Sequence, residues 1–121
     1  MCTIFENSRF NSEGFIAVKR VDTTSKGSFV SSTRPEFRQR FDGEWGKDRG
    51  ERVVYEIGKR LVSKGGPGFM MYTSRPVFKN AAYQHPVYIA LWVPEGAVCY
   101  GGRFNGYDCV AVSECYVLGA L

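Results

Sequence analysis

The sequence predicts a strand-dominated α+β fold, a curved and mostly antiparallel sheet with one short helix between strands. Three observations point there. Short runs rich in Val, Ile, Tyr and Phe recur between Gly, Pro and Asn turn signals. One segment, "SRPVFKNAAY" (74–83), carries the start signals of a helix. The chain has 121 residues, 44% of them apolar, which suffices for one buried core and not for two. A single domain over 1–121 is therefore expected.

The elements follow in chain order. "FIAVKRV" (15–21) reads as a strand, "TTSKGS" as a turn, and "FVSST" (29–33) as the second arm of a hairpin. Arg34-Pro35 ends that arm, because proline cannot donate to a ladder. In "PEFRQRFDGEWGKDRG" (35–50), Phe37, Phe41 and Trp45 recur at helical spacing, but Gly43 and Gly46 interrupt it. One or two helical turns and then a long basic, aromatic surface loop are expected there. "RVVYEIGKRLV" (52–62) fits both periods, and its β-branched content and Gly58 favour a strand. "SKGGPG" turns the chain into "FMMYTS" (69–74), a buried strand. Thr73 or Ser74 then caps the expected helix, with Pro76 in its first turn. "PVYIALWV" (86–93) is apolar on both faces, the mark of a central strand. Three more strands, "AVCYGG", "YDCVAV" and "CYVLGAL", are separated by Asn105-Gly106 and Ser113-Glu114.

No run of apolar residues is long enough for a transmembrane helix, and "MCTIFENSRF" lacks the apolar core of a signal peptide. A soluble, cytoplasmic protein is the expectation. The cysteines at 2, 99, 109 and 115 include no C-x-x-C pair and accompany a single histidine, His85. Reduced, inert thiols are expected, with no metal site. The net charge is +4, and nine of the cations fall within residues 34–64 among six acids. That balance attracts an anionic partner moderately and permits nucleic-acid binding without demanding it.

The stretch "KGGPGFMMYTSRP" (64–76) resembles a phosphate-binding loop only in composition. Such a loop needs its lysine after the glycines and a helix next, whereas here the lysine comes first and a strand follows. The glycines instead serve a tight turn. The end of the stretch carries more chemistry. Tyr72, Thr73, Ser74 and Arg75 bring hydroxyls, a phenol and a guanidinium to one place, where they could hold a phosphate or carboxylate. Arg34, Arg38, Arg40 and Arg103 are the further candidate anion contacts, and Trp45 is the candidate base-stacking ring. A Cys–His nucleophile would need His85 beside Cys99 or Cys109, which spacing does not supply, and no paired carboxylates mark a hydrolase.

Residues 14–121 resemble a domain of unknown function found in small phage and giant-virus proteins and beside pentapeptide repeats. The resemblance lies in "GFIAVKRV", "FVSS", "YEIGKRL", "GGPGFMMYTSRPVFKNAA", "VYIALWVPEGAVCYGG" and "CYVLGAL". It implies a viral setting, in the host-cell cytosol, and a self-contained protein that antagonises host defence by binding. A weaker similarity is to ADP-ribosyltransferases of the arginine–serine–glutamate type, with Arg20, then Thr73 and Ser74, then Glu114 in order. That pattern departs from the family at Val112, where a second glutamate belongs, and would leave the acceptor without an activator.

The expected function is a non-enzymatic binding module that sequesters an anionic nucleotide signal, such as a cyclic oligonucleotide, or blocks a host defence protein. The alternative is an ADP-ribosyltransferase-like enzyme using Arg20, Ser74 and Glu114. No cofactor is expected, nucleic acid is the less favoured partner, and a homo-oligomer would let subunits share a pocket.

Overall fold

Runs of β-branched and aromatic residues set the strands, and alternate side chains of most of them turn to one interior. The computed structural model describes residues 3–23, 27–31, 53–63, 67–74, 87–104 and 106–121. Ten strands run in chain order: β1 (Thr3–Asn11), β2 (Phe15–Thr23), β3 (Phe29–Ser31), β4 (Val54–Tyr55), β5 (Arg60–Val62), β6 (Phe69–Tyr72), β7 (Val87–Val93), β8 (Val98–Phe104), β9 (Tyr107–Val112) and β10 (Glu114–Ala120). They form one sheet in the order β1-β8-β9-β6-β2-β7-β10-β5, with β3 on β2 and β4 on β3. Every pairing is antiparallel.

The architecture corrects the expected α+β class: among the described residues there is no helix, and the fold is antiparallel β. Thr73, expected to cap a helix, instead continues a ladder. Its amide donates to the Asp108 carbonyl at 3.1 Å, and its hydroxyl reaches the same oxygen at 3.3 Å. Its amide and its hydroxyl are thus both directed to β9. The remainder of the expected helix, after Ser74, and the expected loop over 35–50 lie outside the described residues.

β7 holds the central place its two-sided apolar run foretold, between β2 and β10. The segment 52–62 is divided rather than continuous. Gly58 adopts φ +82°, a conformation that side-chain-bearing residues rarely take, and turns β4 into β5. Hydrogen bonds from Gly58 to the Val117 carbonyl (2.8 Å) and from Val117 to the Lys59 carbonyl (3.1 Å) pin that turn to β10. β1 was not expected. Its interior "ENS" holds residues that disfavour strands and hides the period.

The sheet curls around one core. Ala17 and Val21 of β2, Ile89, Leu91 and Val93 of β7, Val110 and Val112 of β9, and Cys115 and Val117 of β10 all belong to it. Ser113 is the corner that permits the curl. Its amide donates to Val98 (3.0 Å), its hydroxyl accepts from the Val98 amide (2.9 Å), and its carbonyl accepts from Ser63 (2.8 Å). Before the corner the chain pairs with β8 and β6; after it, with β5 and β7. A second tie joins the turns at the other end. Ser12, 3% exposed, accepts from Gly96 and Gly14 and donates its amide to Ala97. Gly14 has φ +96°, and a Cβ there would stand 2.9 Å from the Trp92 ring, so the turn into β2 has room only for glycine.

Candidate binding site

The β1–β8 ladder is irregular. Ile4 stands opposite Gly102 and Arg9 opposite Tyr100, so five residue steps on β1 answer two on β8. The surplus residues form a bulge, or bow, in β1. Beneath the bow lies a shallow hollow of about 330 Å³, lined by Phe5, Ser8, Phe10, Thr73, Gly101, Gly102, Arg103, Asp108, Cys109 and Val110. The registers place Phe10, Gly101, Arg103, Asp108 and Val110 on the face of the sheet that carries the core. Gly101 contributes no side chain, which leaves the floor low. The walls are aromatic: Phe5 and Phe10 are 45% and 43% exposed, and the Phe10 ring lies 6.4 Å from that of Phe15.

One cation stands at the rim. Arg103 Nε donates to the Asp108 carboxylate at 3.2 Å, and both side chains are largely in solvent. An exposed pair of this kind contributes about 0–1 kcal/mol, so an incoming anion can compete for the guanidinium. The arrangement offers apolar ring walls, a hydroxyl and a displaceable guanidinium, which suits a flat ring bearing a negative group. Its size falls at the lower end of small-ligand sites, which span roughly 300–1,000 Å³.

Of the residues singled out from the sequence, Thr73 and Arg103 meet at this hollow, joined through Asp108. Ser74 is exposed and does not line it. Tyr72 points to the opposite face, because it alternates with Thr73. Arg34, Arg38, Arg40, Trp45, Arg75 and His85 lie outside the described residues. Phe5, Ser8, Phe10 and Asp108 were missed, and the usable signal was the ring on either side of "ENS" in β1.

The opposite face holds its own cluster. Tyr72 and Tyr107 meet edge to face with centroids 6.3 Å apart. Arg20 and Tyr88 are register partners, and Val18, two residues before Arg20, faces Tyr72. Burial pushes the Tyr72 phenol above its ordinary range, with Tyr88 and Tyr107 adding to the effect and Arg20 opposing it.

The arginine–serine–glutamate set does not assemble. Arg20 faces Tyr88, whereas Glu114 lies beyond the Trp92–Tyr116 pair on β10. Six residue steps along β7 separate those levels, about 20 Å of strand. Glu114 is engaged by Arg60 of β5, whose guanidinium this contact holds above its ordinary range.

Cys99 and Cys115 are free and fully buried. Cys109 is disulfide-bonded, which corrects the expectation of uniformly reduced thiols. Among the described residues no cluster of His, Cys, Asp and Glu is placed to hold a metal ion. No helix among the described residues is long and apolar enough to cross a membrane. Comparison with protein-family models, curated proteins and solved structures finds no match for this chain.

Proposed function

We propose that this chain is a non-enzymatic binding module that captures a small anionic ligand of the nucleotide class. The observation that carries the reading is the convergence of Arg103 and Thr73 on a hollow walled by Phe5 and Phe10. In this reading the phenyl rings flank a base, Arg103 leaves Asp108 to take a phosphate, and the Thr73 hydroxyl adds a hydrogen bond. A phage or other viral setting, with the ligand a host-defence signal, follows from the sequence resemblance and belongs to the proposal. So does a homo-oligomer that completes the shallow hollow from a second subunit. The proposed compartment is the host-cell cytosol. The Cys109 disulfide, a feature favoured by oxidising compartments, makes the thiol state in infected cells the measurement that tests it.

A thermal-shift and calorimetric titration against mononucleotides and cyclic di- and trinucleotides tests the reading. At a hundredfold excess over its dissociation constant, a ligand stabilises the fold by about 2.7 kcal/mol. Arg103→Ala and Phe10→Ala are each expected to weaken binding about tenfold, since each removes a contact worth on the order of 1.5 kcal/mol. Glu114→Gln leaves it unchanged. No response to any nucleotide would end the capture reading.

A second reading, blockade of a host protein, is favoured by an exposed apolar row. Ile16, Trp92 and Tyr116 stand side by side across β2, β7 and β10 and are 58%, 38% and 36% exposed. A protein that ignores nucleotides yet loses host-factor binding on Trp92→Asp would establish this reading instead.

A further inference from the structure

The face opposite the hollow is laid out for a different ligand. Consecutive registers align Arg9 of β1 with Tyr100 of β8, Ala111 of β9 and Met70 of β6. The next row aligns Gly102, Cys109, Tyr72 and Val18, and Arg20 faces Tyr88 on β7. Side chains on one face repeat at period two, so Arg9, Tyr100, Tyr72, Tyr107, Arg20 and Tyr88 share this face.

Small residues lie beneath the rings. Cys109 and Ala111 are buried, and Met70, Tyr72 and Tyr100 pack over them. Tyr72, Tyr100 and Tyr107 are each half-buried, so every ring keeps part of its surface in solvent. The aligned positions from β1 to β7 in these two rows hold no carboxylate; the nearest acid on β2 is Asp22, two residues past Arg20.

We infer that this tyrosine–arginine face binds single-stranded nucleic acid, with bases stacked on Tyr72, Tyr100 and Tyr107 and the backbone held by Arg9 and Arg20. A broad sheet surface does not enter a duplex groove, but unpaired bases lie down on rings spaced along strands. Arginines at the two ends of the band complement a backbone crossing it, and the chain's net charge of +4 favours approach. The site is independent of the hollow, which opens on the other face.

The test is fluorescence anisotropy of the full chain with labelled oligothymidylate and oligouridylate, the two arms separating DNA from RNA. Tyr100→Ala and Tyr72→Ala are each expected to weaken binding about tenfold, while Tyr72→Phe retains it, since stacking on one base contributes about 1–3 kcal/mol. Arg9→Ala, an exposed change that spares the fold, lowers the salt slope by about 0.7. Arg103→Ala, which alters only the hollow, leaves oligonucleotide binding intact even if nucleotide capture is lost. The inference is overturned by absence of binding at low salt. It is equally overturned by salt-sensitive binding that Arg9→Ala and the folded tyrosine variants do not alter, or by equal competition from duplex of the same sequence.

Discussion

At the scale of single residues, burial decides the chemistry of the cysteines. Cys99 is fully buried, its thiol directed at the Ala97 carbonyl 3.6 Å away, and burial pushes it up from an ordinary 9.0 to about 12. A thiol in this state is neither a nucleophile nor a ready metal ligand at neutral pH. The folded value lies above the unfolded one, so the associated stability is complete below about pH 9 and is lost as pH rises toward about 12. Tyr72 acts in the same direction above its ordinary 10.0. Urea midpoints measured across the alkaline range are therefore expected to fall. Cys99→Ala flattens the first part of that fall, by up to about 1.4 kcal/mol per pH unit.

At the scale of elements, β2 carries the least expected feature, a lysine on its core face. Lys19 alternates with Ala17 and Val21, is 8% exposed, donates to the Met70 carbonyl at 2.5 Å and stands 5.4 Å from the centre of the buried Tyr55 ring. It thereby fastens β2 to β6 where their ladder offers only the Val18–Tyr72 pair. Lys19→Ala is expected to destabilise the protein by about 2–3 kcal/mol, the loss of a charged hydrogen bond and a cation–π contact. Lys19→Met, which keeps the stem, costs about half as much in urea unfolding. The sequence made some elements plain and hid others for physical reasons. β2, β3 and β6 to β10 announce themselves because runs rich in β-branched, aromatic and other apolar residues stand between turn residues. β1 does not, since its bow places Glu6, Asn7 and Ser8 in mid-strand, and 52–62 concealed a turn at Gly58. Thr73 and Arg103 were legible as polar groups at strand ends. Phe5 and Phe10 were not, because only the pairing of β1 with β8 brings them to the hollow. The tyrosine face was written in "YGGRF" and "YDCVA" at alternate positions, but its meaning required the strand order.

At the scale of the whole molecule, one continuous sheet closes on one core through the Ser113 corner, so the two halves share both backbone and interior. Cys109 adds a covalent constraint at the end of the sheet nearest the hollow. Disulfides of this kind typically contribute about 2–4 kcal/mol. Reductant is expected to lower the melting temperature, Cys109→Ser to lower it equally, and reductant to have no further effect on that variant. Alkylation of the denatured, unreduced chain should label Cys99 and Cys115 but not Cys109. The ladder between β1 and β8 has a last consequence, for biosynthesis. Thr3 pairs with Arg103, so β1 leaves the ribosome on the order of 5–20 s before its partner strand is translated. Throughout that interval its amides and carbonyls stand open to any neighbouring nascent strand.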